Sequence, residues 1–369
     1  MVDGRLAGRE KMEWLFSGRG HIPSLDGLRA VSIAIVFLGH AGLSYLIPGG
    51  FGVTAFFFLS GFLITTLLIR EHRQTDGVAL GAFYIRRVLR LAPPLLLTIM
   101  LALGLSAAGW VRGDVSAEAV LAQILFLYNY YSLLPGAENS VDGLGVLWSL
   151  SVEEHFYMIW PVLFLFIARG RIGITHILVL LVAIVIWRCV RFFVLGDDEW
   201  TIYISTDTRF DSLLYGCLLA ILMARGWVPD WLDKRRSFYI IFAIGLSGLL
   251  ISFLWRDPAF RSTFRYTLQG LALMPIFYYA VTRPDHVFFR LLNTRILRRI
   301  GIYSYTLYLV HFVVLNGLWE MGYPSEGPTM TIIYAAALSL FWAALVYRFA
   351  EQPLHNLRSR LRADRCAVQ

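Results

Sequence analysis

The strongest constraint on this chain is a series of about eleven apolar stretches, most of them long enough to cross a bilayer at 1.5 Å per residue. They run Leu28 to Leu46, Phe51 to Ile69, Val88 to Gly109, Ala117 to Leu134, Phe156 to Ala168, Ile172 to Leu195, Phe210 to Ala224, Phe238 to Trp255, Tyr266 to Thr282, Ile300 to Trp319 and Met330 to Tyr347. No connector between them is long enough to form a second domain. Composition agrees: 57% of residues are hydrophobic, 16% are charged and mean hydropathy is +0.62. A soluble domain approaches a quarter charged, and a soluble fold of 369 residues could not hide this much apolar surface. The expected fold is all-α, a polytopic integral membrane helical bundle of about ten transmembrane helices plus one re-entrant or peripheral helix.

Arginine placement sets that number. Cytoplasmic loops collect Lys and Arg. The N-terminal arm, residues 1–20, carries Arg5, Arg9, Lys11 and Arg19 without the apolar region of a cleaved signal, and is assigned inside. Two crossings then return the chain to the cytoplasm at Arg70, Arg73, Arg86 and Arg87. If Ala117 to Leu134 crossed fully, Arg169, Arg171, Lys234, Arg235, Arg236, Arg295, Arg298 and Arg299 would fall outside; if it does not cross, all of them fall inside. The expectation is therefore ten crossings over residues 21–355, both termini cytoplasmic, and a basic tail, 356–369, with Arg358, Arg360, Arg362 and Arg365. The net charge of +8 then reflects topology and anionic headgroups or ligands, not nucleic acid. Cys189, Cys217 and Cys366 are too few and too scattered for a disulfide framework or a zinc site, and no metal is expected. The Cys366-Ala-Val-Gln terminus matches a prenylation box by letter, but a many-pass protein needs no lipid anchor.

Ionisable groups inside spans are costly and usually face a cavity or a partner, so they are the functional candidates. Arg29 and His40, on the first span, are eleven residues apart; on a regular helix they lie within ~20° of one face and roughly 16 Å apart along the axis. Arg86 and Arg90 share a face of the third span, Arg87 flanks them, and three guanidiniums there suit phosphates or carboxylates through paired hydrogen bonds. A positive-inside cluster is the plainer reading, weakened by the depth of Arg90. Pro93 and Pro94 are expected to kink the helix beside it. Before the fifth span, Ser149 or Ser151 could cap the helix with Glu153 or Glu154 in its first turn, but two carboxylates cannot both serve a cap. Arg209 and Asp211 are expected to pair with each other. Tyr308 and His311, at i and i+3, form a polar stripe that reads as structural glue or as part of a site.

With those positions in view, the chain resembles the membrane-bound acyltransferase 3 family. The resemblance runs from about Ser24 to Pro353. Its pieces are Leu25-Asp26-Gly27-Leu28-Arg29-Ala30 leading to His40, Gly50-Phe51-Gly52-Val53, Phe56-Phe57-Phe58-Leu59-Ser60-Gly61-Phe62-Leu63, and Tyr84 to Arg90. Trp148-Ser149-Leu150-Ser151-Val152-Glu153-Glu154-His155-Phe156-Tyr157, Arg209-Phe210-Asp211, Tyr303-Ser304-Tyr305-Thr306-Leu307-Tyr308-Leu309-Val310-His311 and Glu351-Gln352-Pro353 complete it. The order and spacing of these pieces, more than any one of them, are specific. The resemblance implies acyl-CoA as donor, transfer to hydroxyls of carbohydrates, and functional roles for Arg29, His40, Arg86, Arg87, Arg90 and Glu153. Thr54 departs from the pattern, which usually has Asp before the Phe pair. Some members carry a further esterase-like domain; with this sequence stopping at Gln369, transfer is expected to finish inside the bundle or to need a separate partner protein.

Both lines of reasoning converge on one expected mechanism. The arginines hold the phosphates of acyl-CoA, in the simplest case acetyl-CoA, and the thioester is delivered near His40. A neutral imidazole takes the proton from an acceptor hydroxyl. An acyl-histidine intermediate is an open alternative. Ser60 or Tyr308 could serve the oxyanion, and Glu153 could orient the acceptor. The expected location is the bacterial inner (cell) membrane. A proton-coupled multi-pass transporter would also use buried Arg, His and Glu, but no inverted repeat is apparent and the arginines cluster at one face.

Overall fold

The computed structural model describes residues 15–17, 21–113, 115–137, 140–322 and 328–354; the N-terminal arm apart from residues 15–17, the basic tail and Cys366 lie outside them. Among the described residues the chain is helical, with no strand. In order the α-helices are α1 (Leu25–Leu38), α2 (Gly49–Thr75), α3 (Leu80–Ala107), α4 (Ala117–Ile124), α5 (Tyr128–Tyr131), α6 (Trp148–Ala168), α7 (Ile174–Phe193) and α8 (Glu199–Ile204). There follow α9 (Thr206–Ala224), α10 (Arg235–Leu254), α11 (Pro258–Ser262), α12 (Arg265–Thr282), α13 (Val287–Arg290), α14 (Arg295–Glu320) and α15 (Pro328–Val346).

Among the described residues, eight helices are long and apolar enough to cross a membrane. Two more, α9 with 19 residues and α12 with 18, have the length but are more polar: α9 carries Asp207, Arg209 and Asp211, and α12 carries Arg265 and Gln269. The stretch Ala117 to Leu134 becomes α4, of 8 residues, and α5, of 4, separated by a turn in which Phe126 has φ 57°. At 1.5 Å per residue neither spans a bilayer. α2 is 78% buried over its most apolar window, whereas α7 and α10 are 22% buried and offer Val, Leu and Ile outward, as lipid-facing helices do.

α3 runs as one helix through Pro93 and Pro94. The prolines leave the carbonyls of Leu89 and Arg90 without their usual helical donors, and one residue further on the Tyr305 hydroxyl donates to the Leu91 carbonyl at 3.0 Å. α1 gives way after Leu38 to a π-turn over Gly39–Leu43, in which Ala41 and Gly42, the latter at φ 93°, leave helical geometry just past His40.

The chain forms two compact units. The first holds residues up to Ser32, Gly50–Val78 and Val152–Gly301. In it α9 packs on α7 and α12, and α10 on α12. Glycines set the closest approaches: a Cβ on Gly61 would lie 2.0 Å from the Leu213 carbonyl, and one on Gly216 2.0 Å from that of Phe58. Such small-residue contacts let α2 and α9 meet backbone to backbone, the usual device where lipid removes the hydrophobic drive between helices. The same rule explains Gly27 of the Leu25–Ala30 segment: its Cβ would lie 2.1 Å from the Leu292 carbonyl. The second unit holds Ile33–Gly49, Ala79–Ser151 and Ile302–Gln369. Its core includes Ala41, Leu315, Leu318 and Ala335, with Phe37 and Phe312 packed on it. A π-turn over Tyr347–Glu351 meets α3, and Glu351 accepts from the Thr306 hydroxyl at 2.7 Å, linking two of the motif segments.

Candidate active site

In the second unit, the π-turn and α14 bring His40 and His311 together. His40 Nδ1 lies 2.9 Å from His311 Nε2, and His311 Nδ1 lies 2.7 Å from the Tyr308 carbonyl. His311 is buried and His40 half-buried. A carbonyl only accepts, so His311 Nδ1 must carry hydrogen. With both rings neutral, His311 Nε2 is then bare and accepts from His40 Nδ1–H, which leaves the lone pair of His40 on Nε2. The hydrogen-bond chain thus assigns the tautomer, and with it the basic nitrogen, as an oriented partner does for a catalytic imidazole. The two imidazoles meet edge to edge, with centroids 5.2 Å apart, and Phe312 stacks on His40 at a centroid distance of 4.5 Å. The Tyr308 hydroxyl is committed elsewhere, 2.6 Å from Ser149 Oγ and 3.1 Å from the Val146 carbonyl. It holds α14 to the start of α6.

The capping expectation for that start is not met. A 3₁₀ turn, Leu144–Leu147, precedes α6, so Ser149 and Ser151 lie inside the helix and bond back to the carbonyls of Val146 and Leu147. Glu153 is consequently past the first turn. In the first unit its Oε1 accepts from both the Ser60 and the Tyr157 hydroxyls. Ser60 and Tyr308, named as oxyanion donors, therefore already have protein acceptors or partners.

The arginines divide. Arg29 Nη1 is 3.1 Å from Asp26 Oδ1, and Asp26 Oδ2 is 2.5 Å from His21 Nε2, so Arg29 is partly neutralised one turn before its own position. Arg86, Arg87 and Arg90 are all half-buried on the first three turns of α3. Arg209 and Asp211 do not pair as expected. Asp211 pairs instead with Arg188 at 2.7 Å, both side chains 0% exposed, and the Thr267 hydroxyl lies 3.3 Å from the same carboxylate. Arg209 donates to Thr54 Oγ1 at 3.0 Å and to the Tyr203 carbonyl at 3.2 Å. Its guanidinium lies 3.9 Å from the Tyr266 ring centroid and 5.0 Å from that of Tyr203, a desolvated cation held by aromatic faces. Thr54, the residue that departs from the family pattern, is thus a hydrogen-bond partner of Arg209. Arg188, Asp26 and Thr54 were missed as partners. Arg188 had a signal, a guanidinium inside the apolar run Ile172 to Leu195, deeper in it than Arg191. No group of three or more metal-ligating side chains occurs among the described residues.

The long apolar helices define a class, the all-α polytopic membrane proteins. A family model described as an acyltransferase domain matches residues 22–348, and the chain belongs to the acyltransferase 3 family. It is similar to the O-acetyltransferase OatA of Staphylococcus aureus strain NCTC 8325 / PS 47, 29% identical over 366 residues that cover 94% of this chain and 59% of the relative. A putative O-acetyltransferase of S. aureus strain COL is 29% identical over 355 residues, covering 91% and 58%. The chain thus spans somewhat under two thirds of the length of these relatives. No solved structure matches it.

Proposed function

We propose that this protein is a membrane-bound O-acyltransferase that moves an acyl group, acetyl in the first instance, from acyl-CoA to a hydroxyl of a carbohydrate or glycoconjugate such as a surface polysaccharide. The observation that carries this reading is the chain Tyr308 carbonyl to His311 to His40, which leaves one oriented basic nitrogen. Attack of a neutral hydroxyl on a thioester needs such a base. The acceptor proton passes to His40 Nε2 as the oxygen attacks the acyl carbon. The tetrahedral adduct then collapses with loss of the C–S bond, and the departing thiolate recovers the proton. Arg86, Arg87 and Arg90, with Arg29, bind the phosphates of the donor, a role suited to paired guanidinium donors. Glu153, whose one oxygen gathers two hydroxyls, has the role of orienting the acceptor in this reading. The name O-acetyltransferase on the S. aureus relatives supports acetyl as the group moved. The site of action in this reading is a bacterial cell membrane, with both termini cytoplasmic. Mass spectrometry of surface glycans from cells with and without the gene tests it: acetyl esters of one glycan should vanish with the gene. An unchanged glycan and metabolite acetylation pattern would contradict it.

A further inference from the structure

α10 has the length and hydropathy of a spanning helix and turns most of its side chains outward, so its first turns mark where the first unit meets the membrane surface. Trp227 and Trp231, 60% and 49% exposed, lie just before it, at the depth where indole rings collect. α13 packs at this level. Phe288 stacks on Phe242 with centroids 5.3 Å apart, and the buried Phe289 meets the same ring at 5.5 Å. Phe242 follows Arg235 by seven residues, roughly 10 Å of helix axis, which sets α13 at the boundary between headgroups and acyl chains and not out in water.

The connector is held firmly there. Asn293, in the 3₁₀ turn Leu291–Asn293 that follows α13, accepts from the Ser24 amide at 2.8 Å and donates to Ser24 Oγ at 3.0 Å and to the carbonyls of Pro284 and Phe289, each at 3.2 Å. Yet Val287, Phe288 and Leu291 remain 69%, 51% and 67% exposed. Arg290, Arg295, Arg298 and Arg299 flank them in sequence, and the aromatic contacts bring the start of α10 alongside, with Lys234, Arg235 and Arg236. All of these basic residues are exposed, and none of their side chains has a hydrogen-bond or ion-pair partner among the described residues. The same connectors expose Asp230 and Asp285, while Asp233 is engaged by the Tyr278 hydroxyl at 3.1 Å, so the face keeps a positive excess.

Apolar side chains bordered by unpaired cations are the pattern of an interfacial segment on an anionic bilayer. A topology signal needs the cations alone and has no use for exposed Val, Phe and Leu on a short connector. We propose that this face of the first unit is a binding surface for anionic lipid, with Val287, Phe288 and Leu291 among the acyl chains and the guanidiniums on the phosphodiester headgroups. The proposal goes beyond the transfer reading, because its residues are none of those assigned to donor, acceptor or base.

The test takes the full chain in nanodiscs of mixed phosphatidylcholine and phosphatidylglycerol and counts the lipids retained on release by native mass spectrometry. The unmodified protein should retain phosphatidylglycerol in preference to phosphatidylcholine, and less so as salt is raised. A cation near an anionic surface is worth about fivefold in binding, so Arg290→Gln, Arg295→Gln and Arg298→Gln together should lower the preference by about tenfold or more. Lys at the same positions should keep it, since such a surface reads charge. Val287→Ser with Leu291→Ser leaves every charge in place and should lower phosphatidylglycerol retention severalfold. Thermal unfolding in phosphatidylcholine checks that each variant is folded. Equal retention of the two lipids by the unmodified protein overturns the proposal. So does retention unchanged in the glutamine variant or, should that one not fold, in the serine variant, which would place the lipid elsewhere. Displacement of phosphatidylglycerol by an equal concentration of free glycerol 3-phosphate also overturns it and makes the face a soluble phosphate site.

Discussion

Replacing His311 separates a relay from a pair of packed rings. His311→Ala deletes the acceptor 2.9 Å from His40 Nδ1 and frees the tautomer of His40. A hydrogen bond of this kind is worth about 0.5–1.5 kcal/mol net, which at 1.36 kcal/mol per decade is roughly 2- to 13-fold in rate. Losing the orientation of a ring that also stacks on Phe312 adds to this, and the expected fall in kcat is on the order of 10- to 100-fold. That remains below the two to four decades, roughly, expected for removing the base itself in His40→Ala. His311→Gln should recover part of the loss, since its amide oxygen can accept from His40 Nδ1–H. Because both rings act through one nitrogen, the double variant His40→Ala, His311→Ala should be no slower than His40→Ala alone. The assay is acyl transfer from labelled acetyl-CoA in nanodiscs, with donor affinity measured separately. Additive losses, or a His311→Ala enzyme slower than His40→Ala, would refute the relay and make His311 the base.

Arg86→Ala with Arg90→Ala should weaken acetyl-CoA binding, and Lys at both positions should restore it only in part, since an ammonium lacks the paired donors; unchanged donor affinity in the folded double alanine variant leaves these arginines a topology role alone. Asp211→Ala leaves Arg188 buried without its carboxylate and should cost about 3–5 kcal/mol, seen as a lower unfolding temperature in detergent, whereas replacing both residues with apolar side chains should cost much less. An unfolding temperature unchanged by Asp211→Ala would contradict that pairing. Reporter tags after Arg112 and after Gly136 should read the same side of the membrane, and opposite sides would require the α4–α5 segment to cross.

Hydropathy made the spans legible, because each helix in lipid must satisfy its own backbone within one continuous segment. Charge counting likewise marked Ala117 to Leu134 as different, and its break into α4 and α5 agrees. What remained hidden is contact between distant segments. His40 and His311 are 271 positions apart, and periodicity, which reads one helix at a time, has no means of joining them. Arg209 and Asp211 were paired because they are neighbours in sequence, yet two positions on a helix point 200° apart, and each found its partner on another element. The serines of Trp148–Tyr157 looked like caps because the 3₁₀ turn before them, Leu144–Leu147, reads in sequence as an ordinary apolar stretch after Gly143. Gly27 and Gly61 stood inside recognisable segments, but only the opposing carbonyls of Leu292 and Leu213 explain why glycine is needed there.

Transfer of ¹³C-acetyl from acetyl-CoA to a glycan hydroxyl by the purified chain in nanodiscs, followed by mass spectrometry for the unmodified protein, His40→Ala and His40→Gln, tests the central claim most directly. The account predicts acetyl ester with the unmodified protein, and with both variants a loss of about two to four decades in rate with donor binding retained, because a glutamine amide cannot take the acceptor proton. An active His40→Gln enzyme would contradict the claim and move the base away from His40.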